Sequence, residues 1–224
     1  MKATDRHLMR RVLRAGALLT VLGLLSCLGG CAQFYQLFID PLLPAKKTAS
    51  EHDMTGKTVL VWVDDAYGNS VNHLLRRALS QAVNETLVSH EAVGEVVGYA
   101  AIASLRQRYP DTTELTIQQL GRELKADEVL YILIDDFDLH HDAAGGFYRP
   151  HVSGAAKVIE VAQGQHVWPE TVTYRSFSFT GKLLQADDAT FEDKLVSELA
   201  EQIAATLGPC FYEHEAERYP QDPV

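Results

Sequence analysis

The chain predicts an α/β domain: a mixed β-sheet with helices packed on it, in the order β-α-β-α-α-β-β-β-α. Three observations carry that prediction. The runs "KTVLVWVDD" (57–65) and "ADEVLYILIDD" (126–136) are apolar on successive residues, the pattern of strands buried on both faces. Leu74, Leu75, Ala78, Leu79, Ala82, Val83 and Leu87 recur at helical spacing, as do Phe191, Leu195, Leu199, Ile203 and Leu207. Strand–helix–strand units at the start favour parallel pairing, whereas the short "AQGQ" turn after "HVSGAAKVIEV" favours an antiparallel hairpin.

The elements follow in order. Lys2, Arg6, Arg10, Arg11 and Arg14 stand against a single Asp5, and an apolar block of 14 residues runs from Ala15 to Leu28. A basic start, a short apolar middle and small residues describe an export signal over 1–30. The block is shorter than the roughly 20 residues of a membrane-spanning helix. An uncut anchor is the alternative, because no charge occurs over 15–39; four glycines and Ser26, Gln33 and Gln36 make that span a poor lipid-facing helix. Leu28-Gly29-Gly30-Cys31 resembles the bacterial lipobox, whose cysteine is diacylated and becomes the first mature residue. Leu24-Leu25-Ser26-Cys27 fits more loosely, and a cut there would shorten the apolar block; Cys31 is the preferred lipidation site. Two acyl chains hold a protein firmly at a membrane.

Residues 31–56 read as the lipidated cysteine and a tether, with Pro41 and Pro44 opposing a long helix. The domain is expected over 57–208. Asn69 or Ser70 is the expected cap of the first helix. "AVGEVVG" is a short strand, Tyr99–Arg108 a short helix ended by Pro110, and Thr116-x-x-Gln119 a capping box ahead of a helix through Lys125. "ADEVLYILIDDFDLHH" is a long strand and "DAAGGFYRP" a loop, while "HVWPETVTYRSFSFTG" continues the hairpin as one strand. Asp187 or Asp188 caps the last helix, which Gly208-Pro209 stops. Residues 209–224 read as a flexible polar tail.

Removing residues 1–30 leaves 194 residues and moves the net charge from −10 to −14. Such a surface repels phosphate backbones, which argues against nucleic acid as a partner. It also opposes adhesion to anionic lipid and leaves the acyl anchor as the membrane attachment. With Cys31 acylated, Cys210 is the sole remaining thiol; with Cys27 acylated, Cys31 and Cys210 can pair.

"LGRELKADEVLYILI" followed by "AKVIEVAQGQHVW" resembles the domain shared by the curli-secretion lipoprotein, the penicillin-binding-protein activator lipoproteins and the N-terminal domain of TolB. The resemblance covers roughly 57–207. It implies an envelope lipoprotein whose domain binds other proteins, with no catalytic site and no cofactor. Two departures separate this chain from those relatives. Asp142–Pro150 is too short for membrane-spanning hairpins of about ten residues per strand. The tether of about 25 residues reaches at most about 85 Å, short of the long disordered tethers of the activators. No aspartate follows Cys31, which in the familiar sorting rule directs a lipoprotein to the outer membrane, facing the periplasm.

The rival function is metal binding or metal-dependent hydrolysis by the strand at 135–142. Asp136, Asp138, His140 and Asp142 would share one strand face about 6.6 Å apart, and carboxylate and imidazole are metal ligands. The plainer alternative is a solvated strand end whose charges discourage sheet-to-sheet association. Asp64-Asp65 after "VLVWV" resembles the start of a response-regulator receiver domain with Asp135 or Asp136 as acceptor. That spacing, about 70 residues, is too long for the family. No Gly-x-Ser-x-Gly elbow occurs, and Gly145-Gly146 is too short for a phosphate cradle. Phe147, Tyr148 and Arg149, expected at a loop tip, are the partner-contact candidates, since aromatics and arginine dominate interface hot spots.

Overall fold

The structure is a computed structural model. It describes residues 47–66, 73–109, 115–139, 141–142, 147–182, 184–185 and 191–215. The expected lipidation at Cys31, the caps at 69–70 and 187–188, and His140 lie outside those residues. One compact unit spans Lys47–His214.

The strands of the two larger sheets are β1 (Met54–Asp65), β2 (Val93–Val96), β3 (Glu128–Asp138), β4 (His141–Asp142), β5 (Phe147–Tyr148), β6 (His151–Glu160), β7 (His166–Trp168), β8 (Arg175–Thr180) and β9 (Leu184–Gln185). The helices are α1 (His73–Ser89), α2 (Tyr99–Arg108), α3 (Ile117–Glu123) and α4 (Phe191–Leu207). In the main sheet β1 pairs in parallel with β2 on one side and β3 on the other, and β3 and β6 are antiparallel. The α/β class and mixed pairing agree with the sequence.

β7 and β8 both pair antiparallel with β6, taking Val158–Ile159 and His151–Ala156 respectively. The single strand expected from "HVWPETVTYRSFSFTG" is therefore broken, over residues 169–174. Pro169 has no N–H to give to a ladder, which ends β7 at Trp168.

Each face of the sheet carries its own core. Val59, Val61 and Val63 meet Leu130, Ile132 and Ile134 beneath α1 and α4, whose Leu75, Leu79, Val83, Leu199, Ile203 and Leu207 cover them. Leu60, Trp62 and Val129 point the other way, toward Ile102 and Leu105 of α2 and Leu120 of α3. Both faces of β1 are thus buried, as its unbroken apolar run requires. Thr116 caps α3 with the predicted box: its Oγ1 accepts from Gln119 N at 3.2 Å, and its own N–H donates to Gln119 Oε1 at 2.8 Å. Gly121 is needed where α3 crosses the sheet, since a Cβ there would lie 2.4 Å from Val161 Cγ2.

Both domain boundaries differ from the expectation. Met54 is fully buried, and Glu51 N and His52 N donate to Cys210 O at 2.7 and 3.1 Å. At the other end Gly208–Cys210 forms a 3-10 turn, and Phe211 packs its ring 4.9 Å from that of Trp168. The expected loose tail is therefore packed at its start, because Gly208-Pro209 folds the chain back and Phe211 is apolar. Cys210 is buried.

Candidate functional site

The sheet connectivity singles out the carboxyl end of β1. From β1 the chain crosses to β2 through α1 on one face; from β2 it returns past β1 to β3 through α2 and α3 on the other. Crossovers that leave adjacent strand ends for opposite faces open a crevice there, the usual ligand position in open α/β sheets.

Side chains from four elements meet at this end. Alternation along β1 sends Trp62 and Asp64 to the α2 face and Asp65 to the α1 face. Arg106, from the last turn of α2, stacks its guanidinium 4.4 Å from the Trp62 ring centroid and donates from Nη2 to Val63 O at 2.9 Å. Arg76, from the first turns of α1, places Nη2 3.9 Å from Asp65 Oδ2, whose side chain is 1% exposed. Tyr131 of β3 donates its hydroxyl to Asp64 Oδ2 at 3.0 Å. Burial lowers the Arg106 pKa, and repulsion from Arg76 adds to that, while Asp64 and Tyr99 oppose it. Burial raises the Tyr131 pKa far above the ordinary phenol range, and the Asp64 charge raises it further. Tyr131 thus remains a protonated donor and is no general base.

A polar row extends from there across the sheet. Trp62, Tyr131 and Lys157 are in direct register on β1, β3 and β6. Lys157 faces the break between β7 and β8; its Nζ donates to Tyr174 OH at 2.8 Å and lies 4.4 and 5.5 Å from the Tyr174 and Tyr131 ring centroids. Ser153, half-buried, and Ser176 and Ser178, exposed, continue this face. The only local signal for these positions was a Tyr and a Lys interrupting apolar strands. Nothing in the sequence placed Arg76 or Arg106 beside them.

The candidates drawn from the sequence fall elsewhere. Asp136 and Asp138 share a face by strand alternation, opposite Ser153 and His151, and a bulge at Asp135 turns that face away from the core, toward which Phe137 points. Asp136 Oδ2 lies 3.8 Å from His151 Nε2, with the carboxylate side chain 62% exposed. Among the described residues no three His, Cys, Asp or Glu side chains group closely enough to hold a metal ion. Phe147 and Tyr148 do not project from a free tip: they form β5, between β4 and β9. The Tyr148 ring packs 5.2 Å from that of Phe191, at the start of α4. The correction has a simple cause, since β9 supplies a pairing partner distant in sequence. Arg149 is exposed.

No protein-family model and no curated protein matches the chain. Solved structures with a similar arrangement include the PelC dodecamer from Paraburkholderia phytofirmans, at 16% identity and TM-score 0.44, covering 75% of this chain and 97% of that one. Lipoprotein GNA1162 from Neisseria meningitidis aligns at 18% identity and TM-score 0.43, over 66% of this chain and 98% of that one. The hypothetical protein CT253 from Chlamydia trachomatis aligns at 13% identity and TM-score 0.42, over 69% and 96%.

Proposed function

We propose that the chain is a bacterial envelope lipoprotein, acylated at Cys31, whose α/β domain binds other envelope proteins and performs no catalysis. The observation that carries this reading is the N-terminal order of basic segment, 14-residue apolar block and Leu28-Gly29-Gly30-Cys31. The compact unit begins at Lys47, so 15 residues separate it from the acyl group. Placement at the outer membrane, facing the periplasm, follows from Ala32 rather than aspartate after Cys31.

The side chains agree with a binding role. Tyr131 is locked as a donor, and the buried Cys210 thiol has its pKa raised by burial, so neither supplies a nucleophile at neutral pH. The face that runs from Lys157 to the exposed Ser176 and Ser178 instead offers polar side chains to a partner.

Labelling with radioactive palmitate and intact-mass measurement test the anchor. Wild type gains label and a mature mass beginning at Cys31; Cys31→Ser loses both, and Cys27→Ser keeps both. An unlabelled protein still beginning at Met1 refutes the anchor. Photo-crosslinkers at Ser176, Ser178 and Arg149 test the domain: envelope proteins captured from Ser176 and Ser178 support it, and no capture from any of the three sites counts against it.

A further inference from the structure

We propose that the groove between α1 and α4 is a docking site for a helix of another protein that carries a row of Lys or Arg side chains. The groove encloses about 670 Å³ and is lined from both helices. On α1, Ala78, Gln81, Ala82, Glu85, Thr86 and Ser89 face it, and their spacing makes one stripe beside the core-facing Leu79, Val83 and Leu87. Opposite them Ser197, Glu201 and Ala205 stand one turn apart along α4. Alanine at 78, 82 and 205 leaves room for another backbone, and from Ala78 to Ser89 the stripe runs about 16 Å, some three turns. His90 and Tyr212 close one end, their rings stacked 3.9 Å apart. Gly208 permits this close end, since a Cβ there would lie 2.6 Å from Thr86 Cγ2 and 3.2 Å from Tyr212 Cε1.

Charge selects the occupant. Glu85 and Glu201 enter the groove from opposite walls, both exposed, and among the described residues neither has an ion-pair or hydrogen-bond partner. No Lys or Arg is among the described residues that line it. Val88, 52% exposed, lies three residues from Glu85 on the same side of α1 and adds an apolar contact at the rim. A second copy of the chain is the wrong occupant, because two-fold pairing sets like carboxylates against each other. A helix with Lys or Arg at every fourth residue presents its cations in one row, which suits two carboxylates on facing walls, and its small residues can lie against the alanines. Docking here rests on the protein-binding role proposed for the domain and is independent of acylation at Cys31.

The probe is a fluorescently labelled alanine peptide of about 16 residues, just over four turns, with lysine at every fourth position. It is titrated with the full chain in dodecyl maltoside micelles, against empty micelles, and read by anisotropy. Binding should saturate and weaken as NaCl rises from about 50 to 300 mM, and the same peptide with glutamate for lysine should not bind. Glu85→Gln/Glu201→Gln should weaken the affinity about fivefold, the combined loss of two exposed ion pairs. Glu95→Gln/Glu170→Gln removes the same charge from exposed positions elsewhere and should change it by less than about twofold. Ala205→Tyr fills the groove without altering charge and should abolish saturation while the Tm stays unchanged. No saturable binding, or equal losses for the two glutamine pairs, overturns the site. A central proline that leaves the affinity unchanged overturns the helical occupant. A dimer in sedimentation velocity that Ala205→Tyr disperses gives the groove to a second copy and overturns the proposal too. Should Ala205→Tyr unfold, the glutamine pairs, at exposed positions, still decide the matter. Crosslinks captured from Ser176 and Ser178 beside a failed titration would leave the domain's binding role standing, so the two failures are distinguishable.

Discussion

Glu128 starts β3 with its side chain 3% exposed, and the folded state satisfies both of its oxygens. Lys57 Nζ donates to Oε1 at 2.6 Å, and His52 Nε2 lies 3.0 Å from Oε2. Glu128→Ala removes both contacts. Hydrogen bonds to a charged group contribute about 1.5–3 kcal/mol each, so the gross loss is about 3–6 kcal/mol. Part of this is offset, because the variant no longer has to take a carboxylate out of water. Lys57 is 38% exposed and can turn its ammonium to solvent, so no charge is left stranded. The net cost is then about 2–3 kcal/mol, below the full penalty of a broken buried pair. At about 2–4 °C per kcal/mol for a domain of this size, the Tm falls by about 5–10 °C.

The pH dependence gives the same reasoning a second handle. Burial raises the Glu128 pKa, but the hydrogen bonds from His52 and Lys57 outweigh it and leave the pKa lowered. A carboxyl with a depressed folded-state pKa contributes stability that is present above its unfolded value of about 4.3 and lost as pH falls through the folded value. The difference in Tm between wild type and the isosteric Glu128→Gln should therefore hold at pH 5–7 and shrink below about pH 4. Thermal melts of both variants across that range supply the measurement. Glu128→Ala melting within about 2 °C of wild type, or a gap that widens in acid, refutes the reasoning.

Three further outcomes are expected. Thr116→Ala removes one half of the α3 capping box and should cost about 1 kcal/mol, with faster amide exchange over 117–123; unchanged exchange would deny the cap its role. Gly154→Ala would place a Cβ 2.4 Å from Leu133 O and 2.9 Å from Phe177 Cζ, so the denaturation midpoint should drop by the equivalent of about 1–3 kcal/mol, and an unmoved midpoint contradicts the close approach. Burial raises the Cys210 pKa, so peptide mapping should find that thiol slow to alkylate in the native chain and fast in denaturant; equal rates would contradict its burial.

Element order was legible in the sequence because it rests on local periodicity. An apolar run such as Val59–Val63 is compatible with little but a strand buried on both faces, and the Thr116–Gln119 box marks a helix start through contacts three residues apart. The break after Trp168 was written there too, in Pro169, but a proline within a strand-like run does not say where pairing resumes. Tyr148 was misplaced for a different reason. Its partners, β9 and Phe191, lie 36 or more residues downstream, and only the assembled fold brings them near.

By itself the sequence determined a strand–helix order, the two-sided burial of its central strands, a capped α3, and an N-terminal pattern that carries the proposed lipid anchor. The tertiary structure decided that Arg76 lies beside Asp65 and Arg106 beside Val63, that Tyr131 meets Asp64, and that the Gly208–Phe211 turn closes on Glu51 and Trp168. The physical reason is sequence separation. Propensity and amphipathic period act over a few residues, whereas a site is fixed by strand register and crossover direction between segments tens of residues apart, and those are settled only when both cores pack together.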